Sequence, residues 1–560
     1  MPNHANVPSS APTWENWSKN LVHRPAADGV NYYSMPANLS ELRSVLADAA
    51  SVTGATVRVS GQRHSQPPLV IEDNRDAVPQ ATRSYLVDMS CYADLGPDKD
   101  QRIVIGPGLN QVTANAGVRE DELDAFLTEN NLMMQTVTAG GFFSLGGMTA
   151  VDVHGGTMNA PIFAETVSAF NLVLADGTVT TIDQQSPEFS GWSPLQFARV
   201  SLGALGIVTS VTIDVIERPY ATTLQGGIQR CGVVDKADFV SQFKTLIAHA
   251  RLESFFTPYA TSSVGFPLYA KNFLALWWDV IDPSSDPKKT PNQPPQPYPP
   301  TSCSLASQQP PEFGAPYLTG IAKYGADIAE RSQYVVSPGN TAEGFIQDGL
   351  DNPSIISAVV FDVVEPEVNT ANQSHSEMWL TGAVRVIFMS YYIPIPNLEE
   401  EGLGKVWDGL DAVSEIVLQD NHFHIAAPME FRFVKGGNSA MSATFCENPE
   451  STWFINLDLI GFVEDGKVAS QYPPQLLQFF ADVERKWVGM GGFPHNGKMY
   501  GFYDPADASG GYSKTGPFNP NFLASLRARR GEPLEAFKAF RKTLDPKGLF
   551  YNAFLRGLLE

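Results

Sequence analysis

Residues 138–156 read TAGGFFSLGGMTAVDVHGG, and glycine occupies six of these nineteen positions. Glycine tolerates positive φ and lets the backbone approach a ligand closely, so consecutive N–H groups can line a concave anion site. A helix-like run, MTAVDVH (148–154), follows at once, and the N-terminus of a helix attracts phosphate. The stretch therefore predicts a turn that binds a pyrophosphate group. A tight turn with close helix packing is the alternative.

Two more glycine-rich stretches lie in the same part of the chain. Gly61–His64 ends the strand-like run ATVRVS (55–60), and SLGALGIVT (201–209) contains Gly203 and Gly206. One such stretch alone would favour an ordinary turn, but three in one domain favour a phosphate-bearing cofactor. The sequence has no GxGxxG after a strand and no GxxxxGK[ST], which argues against a Rossmann site and a P-loop.

The bulk composition is that of a folded protein with an acidic balance. Of the 560 residues, 43% are hydrophobic and 18% are charged, and the formal net charge is −22. This charge argues against nucleic acid as a partner. No apolar run reaches the roughly 18 residues that a membrane span needs. Four widely spaced cysteines argue against a disulfide framework or a zinc site. We therefore expect a monomer without a metal.

The first twenty residues contain no basic segment followed by an apolar one, so no signal peptide is visible. Two alternatives follow for the compartment. The protein is secreted or periplasmic if a leader has been removed, and otherwise it is a soluble cytoplasmic protein.

The pattern of predicted strands and helices changes near residue 219. Residues 1–218 alternate short β-branched strands with helices, whereas 219–500 alternate long aromatic-rich strands with amphipathic helices. We therefore predict an α+β protein with a first domain at 1–218, which contains the three glycine-rich stretches, and a second α+β domain at 219–500. The apolar segment 501–560 is expected to return to the first domain. The proline-rich segment 282–316 is predicted to be a surface loop, or a lid over a pocket.

The three glycine stretches together resemble the vanillyl-alcohol-oxidase (PCMH) type of FAD-binding domain. They read Gly61-Gln-Arg-His64, Ser144-Leu-Gly-Gly-Met-Thr-Ala-Val-Asp-Val-His154-Gly155 and Gly203-Ala-Leu-Gly206-Ile-Val-Thr. The resemblance implies a two-subdomain FAD-binding domain at 1–218 and a substrate domain at 219–500 with a large antiparallel sheet flanked by helices. It also implies that His64 carries FAD covalently at its 8α-methyl group, and a structural turn histidine is the alternative. We expect His154 to be a packed residue outside the site. The residues implied to bind FAD are Gly61, Gln62, Arg63, His64, Ser65, Ser144, Gly146, Gly147, Gly203, Gly206, Ile207, Val208 and Asn552.

The stretch PMEFRFV (428–434) is the informative one in the second part of the chain. Alternate side chains of a strand share a face, so Glu430 and Arg432 point one way and are expected to pair. If this face looks at the flavin, Glu430 would take a hydroxyl proton while Arg432 holds Glu430 charged and stabilises developing alkoxide. A partly exposed ion pair at a sheet edge is the alternative.

This E-x-R strand resembles both the polyol and sugar oxidases and the covalent-flavin cholesterol oxidases of the family. The resemblance implies that Lys498, in PHNGK (494–498), lies near the flavin N1/C2-carbonyl end. It also implies an active-site asparagine at Asn456. The cholesterol oxidases carry a gating glutamate where our alignment has Ala270, which puts gating and substrate choice in doubt. Two histidines in 421–424 lack a third metal ligand, so pocket lining or surface is expected there.

The sequence therefore predicts an FAD-dependent alcohol oxidase with Glu430, Arg432, Lys498 and Asn456 in the active site. The expected substrate is a sterol or another bulky apolar secondary alcohol, with dioxygen reduced to hydrogen peroxide. One rival is a polyol or aldonolactone oxidase of the same family. A second is a dehydrogenase that uses a different electron acceptor. A third is a flavin- or lipid-binding protein without turnover.

Overall fold

The computed structural model describes ten stretches of the chain, namely residues 14–23, 32–73, 84–218, 224–260, 271–280, 378, 386–419, 425, 428–463 and 467–560. Three features singled out in the sequence lie outside these residues. They are Ala270, the segment 282–316 and the two histidines of 421–424.

The N-terminal part folds around a small parallel sheet. After a short hairpin come the strands of this sheet, which lie in the order β3–β5–β4. Helix α1 buries Leu42, Val45, Leu46 and Ala49, spaced three or four apart, so one face of the helix packs into a core with these strands. The elements are β1 (Trp14–Glu15), β2 (Val22–His23), β3 (Tyr32–Ser34), α1 (Leu39–Ala50), β4 (Thr56–Val59) and β5 (Ser84–Val87).

A five-stranded antiparallel sheet with the order β10–β9–β11–β7–β6 forms the second subdomain. Strands β9 and β10 pair across Asp176-Gly177, and Gly177 has φ +82°, which confirms the hairpin that these two residues indicate. A two-stranded ribbon, β8 with β12, lies beside it. The elements are β6 (Ile103–Ile105), β7 (Gln111–Asn115), α2 (Glu120–Glu129), β8 (Leu132–Met133), α3 (Leu145–Ala150), β9 (Val167–Val173), β10 (Val179–Asp183), α4 (Pro194–Ala198), β11 (Ile207–Asp214) and β12 (Ile216–Glu217).

The helix within residues 138–156 is shorter than the predicted helix-like run 148–154, and it begins earlier in the chain. Helix α3 begins directly after Ser144 and ends at Ala150, and Val151 is extended with φ −139°. Beyond the end of the helix, the Asp152 carboxylate contacts the other domain. It accepts hydrogen bonds from Ala443 and from Asn496, which belong to the other domain.

A seven-stranded antiparallel sheet with the order β13–β15–β14–β17–β18–β16–β19 dominates the second domain. Phe431 of β17 meets Phe243 of α5, with ring centroids 5.5 Å apart, so this face of the sheet packs on helices. The opposite face carries Glu430 and Arg432. The elements are β13 (Leu224–Val233), α5 (Lys236–Leu246), β14 (Arg251–Ala260), β15 (Lys271–Val280), β16 (Ile387–Ile395), α6 (Glu400–Gln419), β17 (Met429–Lys435), β18 (Trp453–Gly461), α7 (Pro474–Gly489) and β19 (Phe493–Pro494).

The C-terminal segment contains three helices, α8 (Pro520–Arg530), α9 (Glu532–Leu544) and α10 (Ala553–Leu559). Between α9 and α10 the chain runs along β4, where the Val57 N–H donates to the Leu549 carbonyl at 2.8 Å. The C-terminus thus contacts the N-terminal sheet, on the strand that leads to His64.

The α+β prediction, with an FAD-type domain and a large antiparallel sheet, is confirmed. Within the described stretches no helix is long and apolar enough to cross a membrane. Cys91 is disulfide-bonded, whereas Cys231 and Cys446 are free thiols. The sequence analysis did not anticipate this disulfide, because distant cysteines carry no local pairing signal.

Candidate active site

One cleft between the two domains gathers most of the predicted site residues. Its first wall consists of the three glycine-rich stretches, and its second wall is the charged face of the large sheet. The predicted residues that line it are Gly61, Gln62, Arg63, His64, Ser65, Ser144, Gly146, Gly147, Gly203, Gly206, Val208, Glu430, Arg432 and Lys498.

The loop after β4 turns sharply at Arg63, a non-glycine residue with φ +59°. The Arg63 guanidinium lies over the rings of Trp14 and Tyr33, at 5.5 Å and 5.9 Å from their centroids, and the Arg63 carbonyl accepts from the Trp17 N–H at 2.8 Å. These contacts hold a conformation that a free chain rarely adopts, and they direct the next residue, His64, into the cleft.

His64 lies in an aromatic surrounding. Its ring is 4.7 Å from Trp17 and 5.0 Å from Phe143, measured between centroids, and its Nε2 lies 3.0 Å from the Lys498 Nζ. Burial, and then the charges of Lys498 and His495, hold the pKa of His64 well below its ordinary value. The imidazole is therefore neutral at physiological pH, which is the form that can act as a nucleophile.

The glycine stretches form a cradle that larger side chains would fill. A Cβ atom on Gly61 would overlap the Ser144 hydroxyl, and one on Gly146 would lie 2.9 Å from the Ala116 Cβ. Gly203 has φ +64° and Gly206 has φ +158°, where other residues are strained. Backbone close to a long cleft, with one neutral histidine at its edge, fits the elongated diphosphate-bearing FAD that the resemblance implies.

Arg58 of β4 connects this cradle to the C-terminus, and the sequence analysis did not single it out. Its guanidinium donates to the carbonyls of Leu202, Gly203 and Phe550 at 2.6–2.8 Å. Burial lowers the pKa of Arg58 to about 10, so the side chain stays charged at neutral pH. Arg58 fixes the third glycine stretch against the strand that leads to His64.

The charged face of the large sheet is built around Arg432. The Arg432 Nη2 lies 3.2 Å from the Glu430 Oε2 and 3.1 Å from the Glu253 Oε2. Burial raises the pKa of Glu430 to about 7; Arg432 opposes this increase, and Asp458 and Glu253 add to it. Burial would lower the pKa of Arg432, but Glu253 and Glu430 outweigh it and the pKa is raised. Glu430 can therefore gain or lose a proton near neutral pH, while Arg432 stays charged.

The neighbouring strand β18 adds two polar residues to this face. In the antiparallel register Glu430 lies opposite Asp458, and Arg432 lies opposite Asn456. Asp458 is 5% exposed and lines the cleft. Asn456 is fully buried, donates to the Ser390 hydroxyl at 2.9 Å and does not line the cleft.

Lys498 lines the cleft beside His64. Its Nζ atom lies 3.0 Å from the His64 Nε2 and 3.9 Å from the Phe388 ring centroid. The place near the N1/C2-carbonyl end of the flavin that the resemblance implies for Lys498 stays a prediction. Burial lowers the pKa of Lys498 to about 8, and Asp458 and Glu430 oppose the decrease.

The segment that carries Lys498 is held by both domains. The Gln66 N–H donates to the Gly497 carbonyl at 3.0 Å, and the Met499 N–H donates to the Phe388 carbonyl at 2.8 Å. Asp152 accepts from the Asn496 N–H at 2.8 Å and from the Asn496 side chain at 2.6 Å. The glycine block, the loop after His64 and the Lys498 segment thus position one another.

Ile207 and Asn552 are not in contact with the cleft. Ile207 is fully buried in the N-terminal core, and Asn552 caps α10 and donates to the Pro68 carbonyl at 2.9 Å. The sequence analysis missed several residues that line or support the cleft, and no local motif marks them: Trp17, Phe143, Glu253, Phe388, Asp458 and His495. His154, which was expected outside the site, lines the cleft, and its ring centroid is 5.5 Å from that of Tyr392.

One further glutamate, Glu253, contacts the charged face of the large sheet. Glu253 reaches Arg432 from the adjacent strand β14, where Ser254 pairs with Phe431. This contact depends on the pairing of β14 with β17, which no local pattern in the sequence reveals. Among the described residues no group of three His, Cys, Asp or Glu side chains is arranged to hold a metal.

Two family models match the chain in separate segments. The model described as FAD binding domain matches residues 30–183, and the model described as D-arabinono-1,4-lactone oxidase matches residues 352–558. The first segment contains His64 and the glycine block, and the second contains Glu430, Arg432 and Lys498.

Curated relatives align over part of the chain. The chain is 28% identical to L-gulonolactone oxidase of Mus musculus over 219 residues, which cover 38% of this chain and 43% of that enzyme. It is 25% identical to L-gulono-1,4-lactone dehydrogenase of Mycobacterium tuberculosis over 255 residues, which cover 45% of this chain and 51% of that enzyme. The chain thus spans about half the length of the curated relatives it matches, or less.

Solved structures align over the whole chain. A solvent-stable cholesterol oxidase has a TM-score of 0.67 at 18% identity and 100% coverage of both chains. Cholesterol oxidase from B. sterolicum has a TM-score of 0.65 at 16% identity, covering 100% of this chain and 99% of that one. At this identity the likeness concerns the fold. The chain is therefore a flavoprotein with an FAD-binding domain of the vanillyl-alcohol-oxidase type, joined to a large antiparallel sheet in the fold of the cholesterol oxidases.

Proposed function

We propose that the protein is an FAD-dependent oxidoreductase that oxidises a secondary hydroxyl group of an aldonolactone or a similar polyhydroxylated compound. The observation that carries the proposal is the meeting of two walls in one cleft. A glycine cradle with a neutral His64 faces a buried Glu430–Arg432 pair. This arrangement also argues against a binding protein without turnover, because a buried ion pair alone contributes little to stability.

The residues that would hold FAD are those of the three glycine stretches: Gly61–Ser65, Ser144–Gly147 and Gly203–Gly206. When bound, FAD supplies the two-electron oxidant. Glu430 accepts the proton of the substrate hydroxyl, because its pKa near 7 leaves a substantial carboxylate fraction at neutral pH. Arg432 keeps its charge and stabilises negative charge that develops on the substrate oxygen.

The surroundings of Glu430 and the relatives support this substrate class. Arg432, Asp458 and Lys498 line the cleft beside it, and an apolar sterol would bury these charges without replacing their contacts with water. The lactone oxidase model spans the segment that contains Glu430 and Lys498, and the named relatives are lactone oxidases and dehydrogenases. The sterol predicted from the sequence thus becomes the rival substrate.

Anaerobic reduction of the flavin tests the substrate class, because it does not depend on the final electron acceptor. L-gulono-1,4-lactone and D-arabinono-1,4-lactone are mixed with the purified holoprotein, beside xylitol, benzyl alcohol and cholesterol at equal flavin concentration. We expect bleaching of the flavin absorbance with a lactone and none with cholesterol. Bleaching by cholesterol alone would restore the sterol prediction, and bleaching by none of the five would remove the proposal.

The electron acceptor is a second part of the proposal. We propose dioxygen, with release of hydrogen peroxide, although the relatives include both oxidases and a dehydrogenase. Reduced protein is mixed with air-saturated buffer or with an artificial acceptor such as phenazine methosulfate. Reoxidation within the turnover time in air supports an oxidase. Rapid reoxidation by the dye alone indicates a dehydrogenase.

We also propose that His64 carries the flavin covalently. The neutral state of the buried imidazole and its place at the edge of the cradle support this assignment. Denatured wild-type protein should keep its yellow flavin fluorescence in a gel, and His64→Ala should lose it while still binding FAD under native conditions. Fluorescence retained by denatured His64→Ala would exclude His64 as the attachment site.

A further inference from the structure

We propose that Asp458 binds a second hydroxyl group of the substrate, next to the hydroxyl that Glu430 deprotonates, so that the site selects compounds with two adjacent hydroxyls. This inference rests on the proposed function and deepens it. It concerns which part of a polyhydroxylated substrate the protein recognises.

The first observation is an unpartnered oxygen at the cleft. Asp458 is 5% exposed, and no donor among the described residues reaches its Oδ1 atom. A buried carboxylate oxygen without a hydrogen bond is strongly unfavourable, so a native site that keeps one is prepared for a donor from outside the chain.

The nearby cations do not fill this role. The Arg432 Nη2 is shared between Glu430 and Glu253, at 3.2 Å and 3.1 Å. The Lys498 Nζ is 3.0 Å from the His64 Nε2. Both cations are therefore engaged with other groups, although Lys498 is close enough to Asp458 for the carboxylate to raise its pKa.

The second observation is the register of β17 and β18. Glu430 and Asp458 are directly opposite each other in the antiparallel pair and lie on the same face. Cβ atoms of such pairs are about 4.5–5.5 Å apart, so the two carboxylates present acceptors at a spacing that suits neighbouring hydroxyls on one ring. Glu430 takes the proton of the first hydroxyl, and Asp458 accepts a hydrogen bond from the second.

This pairing also excludes a large substrate class. A sterol offers one hydroxyl on an apolar ring system, and its binding would leave the Asp458 Oδ1 buried and unpaired. A site built to bind a substrate hydroxyl rejects an analogue that lacks it, because its own polar group then has no partner. The five-membered ring of an aldonolactone carries adjacent hydroxyls.

The test uses two substrates, the wild type, two Asp458 variants and one control variant. The substrates are L-gulono-1,4-lactone and its deoxy analogue without the hydroxyl adjacent to the oxidised carbon. The proteins are wild type, Asp458→Leu, Asp458→Asn and the control Asp482→Asn, which neutralises a half-exposed carboxylate on α7. Anaerobic stopped-flow reduction of the flavin gives the apparent Kd and the limiting rate separately for each pair.

We expect the wild type to favour the parent lactone over the deoxy analogue by about 10- to 100-fold in limiting rate divided by Kd. Asp458→Leu should bring this ratio close to one, mainly by raising the Kd of the parent lactone. Asp458→Asn should give an intermediate ratio, because an amide oxygen still accepts a hydrogen bond. The control should keep the wild-type ratio.

Three outcomes would overturn the inference. An unchanged ratio in Asp458→Leu means that the carboxylate does not contact the substrate. Loss of flavin, or a shifted flavin absorbance before substrate is added, in both Asp458 variants means that Asp458 contacts the cofactor. A wild-type ratio near one removes the second hydroxyl from recognition. If no lactone reduces the wild-type flavin, the proposed function itself fails, which this design distinguishes from the other results.

Discussion

The two walls of the cleft are built in different ways. The cofactor wall consists of loops in which glycine, a left-handed Arg63 and backbone groups approach one another, and most of its members come from three short runs of sequence. The substrate wall consists of charged side chains brought together from separate strands, with Glu253 on β14, Glu430 on β17 and Asp458 on β18. Shape dominates the first wall and charge dominates the second.

This difference explains what a change in each wall should do. A substitution in the cofactor wall alters packing, and it should change how much flavin the protein holds. A substitution in the substrate wall alters protonation or charge, and it should change the rate of flavin reduction at unchanged flavin content. Four experiments examine this separation, beginning with the largest expected effect.

Glu430→Gln should distinguish the roles of the two walls most clearly. The amide has nearly the same shape as the carboxylate but cannot accept the hydroxyl proton, so flavin reduction by a lactone should slow by about 10²- to 10⁴-fold. Flavin content should match that of wild type. Anaerobic stopped-flow measures the rate, and Glu415→Gln, an exposed carboxylate on α6, serves as the control. A rate within threefold of wild type would remove Glu430 from proton transfer.

The pH dependence of kcat/KM should report the titration of Glu430 in the unmodified protein. Glu430 acts only as a carboxylate, and its pKa is raised to about 7, so kcat/KM should fall about tenfold per pH unit below that value. Between pH 7 and pH 8 the rate should level off. Above pH 8 Lys498, whose pKa is lowered to about 8, loses its charge, and a second change is expected. A profile that is flat from pH 5 to pH 7 would contradict the assigned base.

Gly61→Ala examines the cofactor wall. The added methyl group would overlap the Ser144 hydroxyl, and such overpacking costs about 1–3 kcal/mol. Flavin content after purification should fall, and it should recover in the double variant with Ser144→Ala, which removes the obstructing oxygen. Gly489→Ala, where a Cβ meets no atom within 4 Å, is the control. If the double variant binds no more flavin than Gly61→Ala alone, the contact with Ser144 is not the reason for glycine.

Glu253→Gln should have the smallest effect and a defined direction. The charge of Glu253 raises the pKa of Glu430, and the same carboxylate competes for Arg432. Its removal should lower the pKa of Glu430 and move the acidic limb of the kcat/KM profile to lower pH, with flavin content unchanged. A shift of the limb to higher pH would mean that Glu253 acts on Glu430 by another route.

The sequence was most informative where a function needs consecutive residues. The backbone conformation of the Ser144–Gly155 block and of the Gly61–His64 turn is determined locally, by the glycine residues and, at Gly61, by the preceding strand. The E-x-R strand could also be interpreted from the sequence, because the alternation of side chains in a strand places Glu430 and Arg432 on one face wherever that strand lies in the sheet. The glycine-rich stretches and the Glu430–Arg432 pair line one cleft because the two domains meet along these two surfaces.

Other features had no local signal. Glu253 reaches Arg432 because β14 pairs with β17, and Asp458 stands opposite Glu430 because of the register of β17 and β18. His154 was assigned to packing because its glycine neighbours suggested a cap, whereas the approach of Tyr392 from the large sheet makes it part of the cleft wall. Lys498 was predicted to lie beside the flavin, and it lines the cleft; its contact with His64 depends on how the segment 495–499 is held between the two domains.

The sequence by itself predicted an FAD-binding domain and singled out two groups that line the cleft, His64 and the Glu430–Arg432 pair. The reason is that glycine conformations and strand alternation are local properties. Only the tertiary structure decided which other charges surround that pair, because Glu253 is 179 positions from Arg432 in the chain and Asp458 stands opposite Glu430 only through the register of β17 and β18. Burial and those charges together raise the pKa of Glu430, and among the described residues no donor reaches the Asp458 Oδ1; the latter observation carries the proposal about the substrate.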